Sequence, residues 1–287
     1  MKKRSLLSPL GVLFLALCIV LSACKSGSSA NEASGLQAAS ATENASGDKE
    51  IEVLRVGVTE LPDLLDPQRT SGNTSIRLLF SVFETLILTD PKDNFARKPM
   101  LATDWERIDD YTVEVSLRKG VKFHNGDELT AKDVEFSFNR VKKNLPGMQD
   151  AANLLSVVKE VQVIDDHKLR IITHEVDPLL ELRIASSWGA WIVPADYLQE
   201  VGDEAFAVKP VGTGPYQVVS YSPEKVVLER FDDYWGGKAA AKRIEYIAYN
   251  ETSTRVTALI TGELDLITQV PLDQFSVIER HDDLKVM

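Results

Sequence analysis

The stretch DWERIDDYTVEVSLRKGVKFHNGDELTAKDVEFSFNRV, residues 104–141, decides the fold class. Tyr111, Val113, Val115 and Leu117 alternate with Thr112, Glu114, Ser116 and Arg118, the period of two that marks a strand with one apolar face. Asn125-Gly126 is a turn signal. Thr130-Ala131-Lys132-Asp133 has the spacing of a capping box, with Asp in place of the usual Glu. The helix it opens buries Val134, Phe138 and Val141 and stops near Asn144-Leu145-Pro146-Gly147, where glycine and proline end helical runs. Strand, turn and capped helix in succession predict a mixed α/β chain.

Working outward, VLRVGVTE (53–60) alternates Leu54, Val56 and Val58 as a strand, and LPDLLDPQRTSGNT (61–74) reads as a loop. Ile76, Leu79, Phe80 and Phe83 fall at helical spacing and predict a helix over Ser75–Leu86. Downstream, a helix is expected around residues 150–158. VKEVQVIDDHKLRIITH (158–174) reads as a hairpin turning at Asp165-Asp166-His167. Residues 177–194, DPLLELRIASSWGAWIVP, begin as a helix and end as a strand entering a new layer. GTGPYQVVSYSPEKVVLERF (212–231) is a second hairpin, turning at Ser222-Pro223-Glu224-Lys225. RIEYIAYN, ETSTRVTALITG and ELDLITQV (243–270) follow as a strand–helix–strand crossover. No internal repeat is visible.

The amino-terminal segment has a different composition. Met1-Lys2-Lys3-Arg4 is basic, and Leu10–Leu21 is apolar but too short for a spanning helix, which needs ~20 residues. A basic start, a short apolar run and a small-residue exit are the marks of a secretory signal over residues 1–23. Residues 24–50, rich in Ser, Ala, Gly, Asn and Glu, hold too little apolar surface to fold and read as a disordered tether. The whole chain has a formal charge of −11; residues 1–23 hold three positive charges and no negative one, leaving 29 positive against 43 negative groups. So acidic a body excludes phosphate-driven binding of nucleic acid. Beyond the signal, Cys24 is the one cysteine, so no intramolecular disulfide or cysteine metal cluster is expected. The four histidines, His124, His167, His174 and His281, lack the i, i+4 pairing of a zinc helix, and no metal site is expected.

Catalytic constellations are missing. There is no Gly-x-Ser-x-Gly elbow, and no carboxylate sits in an apolar setting that would argue for a raised pKa. In VGTGPYQVVSY the glycines predict a tight turn opening a hairpin, with Thr213 and Gly214 as candidates for facing a ligand. A phosphate loop is excluded, since no Lys-Ser/Thr follows. In SSWGAWIVP, Trp188 is the candidate for an exposed ligand platform, and Trp191, running into apolar WIVP, for the core.

These strings together resemble the family 5 extracellular solute-binding proteins: LRVGVTELPDLLDPQ, the 104–141 stretch, PVGTGPYQVVSY, and LERFDDYWGGKAAAKRIEYIAYNETSTRVTALITGELDLI. Leu21-Ser22-Ala23-Cys24 likewise resembles a lipobox, which implies acylation of Cys24 and a lipid anchor on the extracytoplasmic face of the cell membrane. The family resemblance covers residues ~53–270. It implies a periplasmic-binding-protein-like fold of class II, cluster C type. Residues 51–270 would form the first lobe, with two mixed α/β subdomains (the inserted one at about 75–180), and 271–287 the start of a second lobe that is missing. The chain is accordingly expected to be truncated, and one lobe alone to bind solute weakly or undetectably.

What the resemblance implies is a non-enzymatic receptor without cofactor. It would capture peptides and deliver them to an ABC permease and, through it, to ATPase subunits. Nickel chelates are the alternative within the family. A surface-tethered hydrolase and a signalling lipoprotein are the alternatives outside it. Carried over by position, the candidate cleft residues are Thr59, Glu60 and Leu61 after the first strand, and Ser187, Trp188 and Gly189 before the VP segment.

Overall fold

β1 (Ile51–Val58) forms where the alternation predicted it, and its apolar residues reach the core as Val56 and Val58. The structure, a computed structural model, describes residues 50–143 and 145–287; the expected signal peptide, Cys24 and all of the tether but Glu50 lie outside the described residues. Glu50 is bonded into the fold, its carboxylate meeting Arg230, Lys238 and Lys242 at 2.8, 3.0 and 3.2 Å.

After β1 a loop leads to α1 (Asn73–Leu79). The helix expected over Ser75–Leu86 therefore starts earlier and stops seven residues sooner. Past Leu79 the carbonyls of Ser81 and Val82 accept the amides of Tyr216 and Gly214 instead of continuing a helical ladder. Val82, Phe83 and Leu86 are fully buried, so this apolar run reflects burial on all sides rather than one helical face. A short hairpin that the sequence did not signal follows, β2 (Ile87–Asp90) and β3 (Ala96–Pro99).

The decisive stretch folds into the expected strand, turn and helix. Tyr111, expected on the apolar face, instead precedes the strand and is 47 % exposed, while Thr112, expected on the opposite face, is buried. β4 (Ala102–Arg107) and β5 (Thr112–Leu117) pair antiparallel, with Val113, Val115 and Leu117 buried. Gly126, at φ +95°, closes the Asn-Gly turn. α2 (Ala131–Arg140) opens on the capping box: the Asp133 carboxylate accepts the Thr130 amide at 2.9 Å. The other Asp133 oxygen accepts the amide of Ala195 at 2.9 Å, so the cap also docks a distant segment. α3 (Gln149–Leu154) leads to β6 (Val158–Asp165) and β7 (Lys168–Thr173), the expected hairpin. These strands make a four-stranded sheet in the order β4-β5-β7-β6.

α4 (Leu180–Arg183) is as expected, but residues 191–194 are not a strand. The amide of Ile192 goes to the Glu84 carbonyl and that of Val193 to Ser137 Oγ, so this extended segment joins no sheet. α5 (Ala195–Val201) and α6 (Asp203–Val208) precede the second hairpin, β8 (Tyr216–Tyr221) and β9 (Lys225–Arg230). β10 (Ala241–Ala248), α7 (Thr252–Ile260) and β11 (Leu266–Ile267) form the crossover; β11 is only two residues long. α8 (Leu272–Ile278) closes the chain. The five-stranded sheet runs β11-β1-β10-β9-β8, with β1 parallel to both neighbours. One core cluster packs on each sheet.

Candidate functional site

β1 lies between two parallel partners, and in open α/β sheets the crevice at the carboxyl ends of such strands is where ligands bind. Thr59, Glu60 and Leu61 leave β1 at that end. Glu60 and Leu61 line a polar cavity of about 370 Å³, together with Asp63, Asn73, Ser75 and Gln269. Thr59 Oγ1 donates to Gln269 Oε1 at 2.5 Å, which ties the loop to the segment beyond β11. Tyr221 donates its hydroxyl to the Pro62 carbonyl at 2.7 Å and fixes the loop from the other side.

Ser187 and Trp188 line a second concavity of about 570 Å³, an apolar groove walled by Phe80, Phe95, Leu154, Leu179 and Leu182. Trp188 is 48 % exposed and Trp191 fully buried, the division the sequence anticipated. Gly189 does not line the groove. It has φ +147°, and a Cβ there would stand 2.5 Å from Ala151 Cα, so its place is set by a close approach to α3. The two concavities lie at opposite ends of α1: Asn73 and Ser75 face the cavity, Phe80 the groove.

Thr213 and Gly214 join neither concavity. Thr213 is fully buried. A Cβ on Gly212 would lie 2.1 Å from the Val82 carbonyl oxygen, and one on Gly214 2.8 Å from that of Ser81. The loop is thus pressed against backbone, which is what its glycines permit. His124 clamps it from the other side: the Gly212 amide donates to Nδ1 at 3.2 Å, and Nε2 donates to the Gly214 carbonyl at 3.0 Å. The bond accepted by Nδ1 needs the neutral ring, and burial pushes the pKa down to about 4 against the Gly214 bond, which would favour the charged form.

Next to this loop lies a group the sequence reading missed. Glu84 is fully buried, contrary to the expectation that no carboxylate sits in an apolar setting. Burial pushes its carboxyl above the ordinary value, against the pull of its donors. Tyr234 Oη and Trp235 Nε1 donate to its two oxygens at 2.8 and 2.9 Å, and Arg118 stacks 4.0 Å over the Trp235 ring. The signal was present: a lone acid inside VFETLI, with donors in DYW 150 residues away. Glu84 touches no concavity, so its raised pKa belongs to a structural knot. A buried cation, Arg140, is likewise neutralised within the fold by Asp66 and Asp203.

Among the described residues no cluster of three His, Cys, Asp or Glu could hold a metal ion. Nor is any helix among them long and apolar enough to cross a membrane.

The mixed α/β lobe, with a polar cavity at the carboxyl end of a parallel strand, matches solved structures of the periplasmic-binding-protein type. The ABC transporter-associated periplasmic binding protein DppA of Helicobacter pylori, in complex with the peptide STSA, superposes with a TM-score of 0.73 at 26% identity, over 82% of this chain and 50% of that one. NikA of Staphylococcus aureus in complex with Ni(L-His)2 gives 0.71 at 28%, over 82% and 47%. Matching half of each structure is what a single lobe requires.

The family model for bacterial extracellular solute-binding proteins, family 5 (its middle region), matches residues 96–286, and the chain belongs to that family. Curated relatives include the nickel-binding protein NikA of Staphylococcus aureus, 29% identical over 74% of this chain and 41% of its own length. The oligopeptide-binding protein AppA of Bacillus subtilis is 26% identical over 100% and 52%. The chain spans about half the length of the curated relatives it matches.

Proposed function

We propose that this chain is the solute-capturing first lobe of a lipid-anchored, non-enzymatic receptor serving an ABC importer, with peptides as the solute class. Cys24 would carry the anchor, residues 24–50 the tether, and a membrane permease with its ATPases would take the solute. The observation that carries the reading is the polar cavity at the carboxyl end of β1, framed by Glu60, Leu61 and Asn73–Ser75, with Thr59 outside its lining. Hydroxyl, amide and main-chain groups suit a peptide backbone, which they can bind without reading its sequence. Ser187 and Trp188 then face a solute side chain, while Gly189, Thr213 and Gly214 shape the walls behind.

A metal-chelate reading has one specific support, the likeness to a structure holding Ni(L-His)2. The described residues offer no ligand cluster of their own, so such a metal would have to arrive inside its chelator. Calorimetry of residues 25–287 against Ala-Phe-Ala, Ala-Lys-Ala and Ni(L-His)2 separates the two. Weak saturable heat from the tripeptides and none from the complex is expected. Heat from Ni(L-His)2 alone would replace peptide by chelate, and cleavage of a tripeptide would overturn the receptor.

A further inference from the structure

The groove beside Trp188 gathers exposed apolar side chains from four separate parts of the chain: Phe80 after α1, Phe95 in the β2–β3 turn, Leu179 and Leu182 at α4, and Trp188 in the loop beyond. Single exposed hydrophobic residues are ordinary on a protein surface. Their convergence on one concavity is not.

Two features hold these rings in place. Phe80 packs edge-on against buried Trp191, with centroids 5.1 Å apart and planes at 77°. Phe95 sits at φ +58°, behind Asn94 at +47°, in the left-handed region that bulky side chains seldom occupy. Its amide closes the turn onto the Asp90 carbonyl at 2.9 Å, and its ring is left 69 % exposed. The backbone is thus strained to present an aromatic ring to water, a combination that persists at ligand clamps.

The charge balance narrows what could fill the groove. Arg183 is its one ionisable lining residue, and no carboxylate lines it. Arg183 is already engaged, Nε with the Asp177 carboxylate at 2.7 Å and Nη1 with the Leu154 carbonyl at 3.3 Å. A charged group entering here would lose hydration and meet no free counter-charge. An aromatic or branched aliphatic group would instead bury area against Leu179 and Leu182 and stack on Phe95 and Trp188. A volume of about 570 Å³ falls within the range of small-ligand sites.

We infer that the groove is a selectivity subsite for an uncharged aromatic or branched aliphatic group of the solute, with Phe80, Phe95 and Trp188 as its specificity-determining residues. The inference rests on the solute-capture reading, since the group it takes is part of a captured solute. It is separate from main-chain recognition, which belongs to the cavity at the other end of α1.

The test is nuclear magnetic resonance of the chain labelled with 15N-tryptophan, titrated separately with the N-acetyl amides of phenylalanine, lysine and aspartate. The Trp188 indole signal is assigned by its loss in Trp188→Phe. The phenylalanine amide is expected to shift that signal at concentrations about tenfold lower than either charged amide. Phe80→Ala and Phe95→Ala should each weaken the response severalfold, Phe95→Ala without lowering the thermal midpoint and Phe80→Ala with the modest loss that follows from its packing on Trp191. Equal responses to all three amides, or none at Trp188, would overturn the subsite. Calorimetry keeps the two readings apart. Equal affinity for Ala-Phe-Ala and Ala-Lys-Ala sinks the subsite and leaves peptide capture standing. A Trp188 response to the amide without tripeptide heat sinks peptide capture and leaves the groove.

Discussion

Two glycine-bearing loops, Gly212–Pro215 and Ser186–Gly189, both candidates for facing a ligand, end in opposite environments. The first is pressed between the Ser81–Val82 backbone and His124, with Thr213 fully buried. The second carries a half-exposed Trp188 into an apolar groove. The difference teaches that glycine reports a close approach and not its purpose; the side chains around the glycine decide that. Gly189 itself shows the point, because it packs on α3 while its neighbour Trp188 faces out.

The hardest blow to the comparison is Gly212→Ala. Its Cβ would meet a carbonyl oxygen that cannot move without β8 and the segment after α1, so a loss of about 3 kcal/mol is expected in urea unfolding. A variant as stable as the parent would mean the loop has room to yield.

Acid should act next. The folded-state pKa of His124 is pushed down to about 4, from 6.5 when free. The folded state therefore binds fewer protons in that window. The contribution is whole above pH 6.5 and is lost as pH falls through 4, about 3 kcal/mol in all. His124→Gln should flatten the dependence of the urea midpoint between pH 6.5 and 5, above the range where ordinary carboxylates titrate.

Glu84 works in the other direction. Its raised pKa contributes stability below its unfolded value, and that contribution is lost as pH rises through the folded one. Acidification thus relieves Glu84 while it burdens His124. In Glu84→Gln the offset disappears, and the acid-induced fall in the urea midpoint should become steeper.

The smallest effect belongs to the groove. Phe95→Gly should raise stability by up to about 1 kcal/mol, since glycine accepts φ +58° without strain. The same change should weaken the response of Trp188 to the phenylalanine amide. A loss of stability would show that the exposed ring packs more than it presents.

Much of the fold was legible because the pattern and the local chemistry agreed. Alternation located β1, β5 and both long hairpins, and the Thr130–Asp133 spacing located the start of α2. The failures share one cause. Residues 82–86 and 191–194 are surrounded by protein, so neither period describes them, and several of their amides and carbonyls find partners distant in sequence. The site was legible only in part. Trp188 could be separated from Trp191 by the apolar run after it. The concavity around it could not be foreseen, because Phe80, Phe95 and Leu182 meet there only once three loops are folded. Glu84 was missed because its donors lie far along the chain.

The position of β1 has a consequence for how the chain is made. Ile51 pairs with Ala241, and the Arg55 amide meets the Asp265 carboxylate across a separation of 210 residues. β1 therefore waits for partners that lie far along the chain. Until β10 has been synthesised, this end of the chain has no parallel neighbour to join, and closing so long a loop is slow. The four-stranded sheet and α2 draw on a nearer stretch of sequence and can assemble while β1 waits. An emerging chain thus leaves this strand without its parallel partners until about 190 further residues have been made, which leaves that end free to be handled by other machinery before it is locked away.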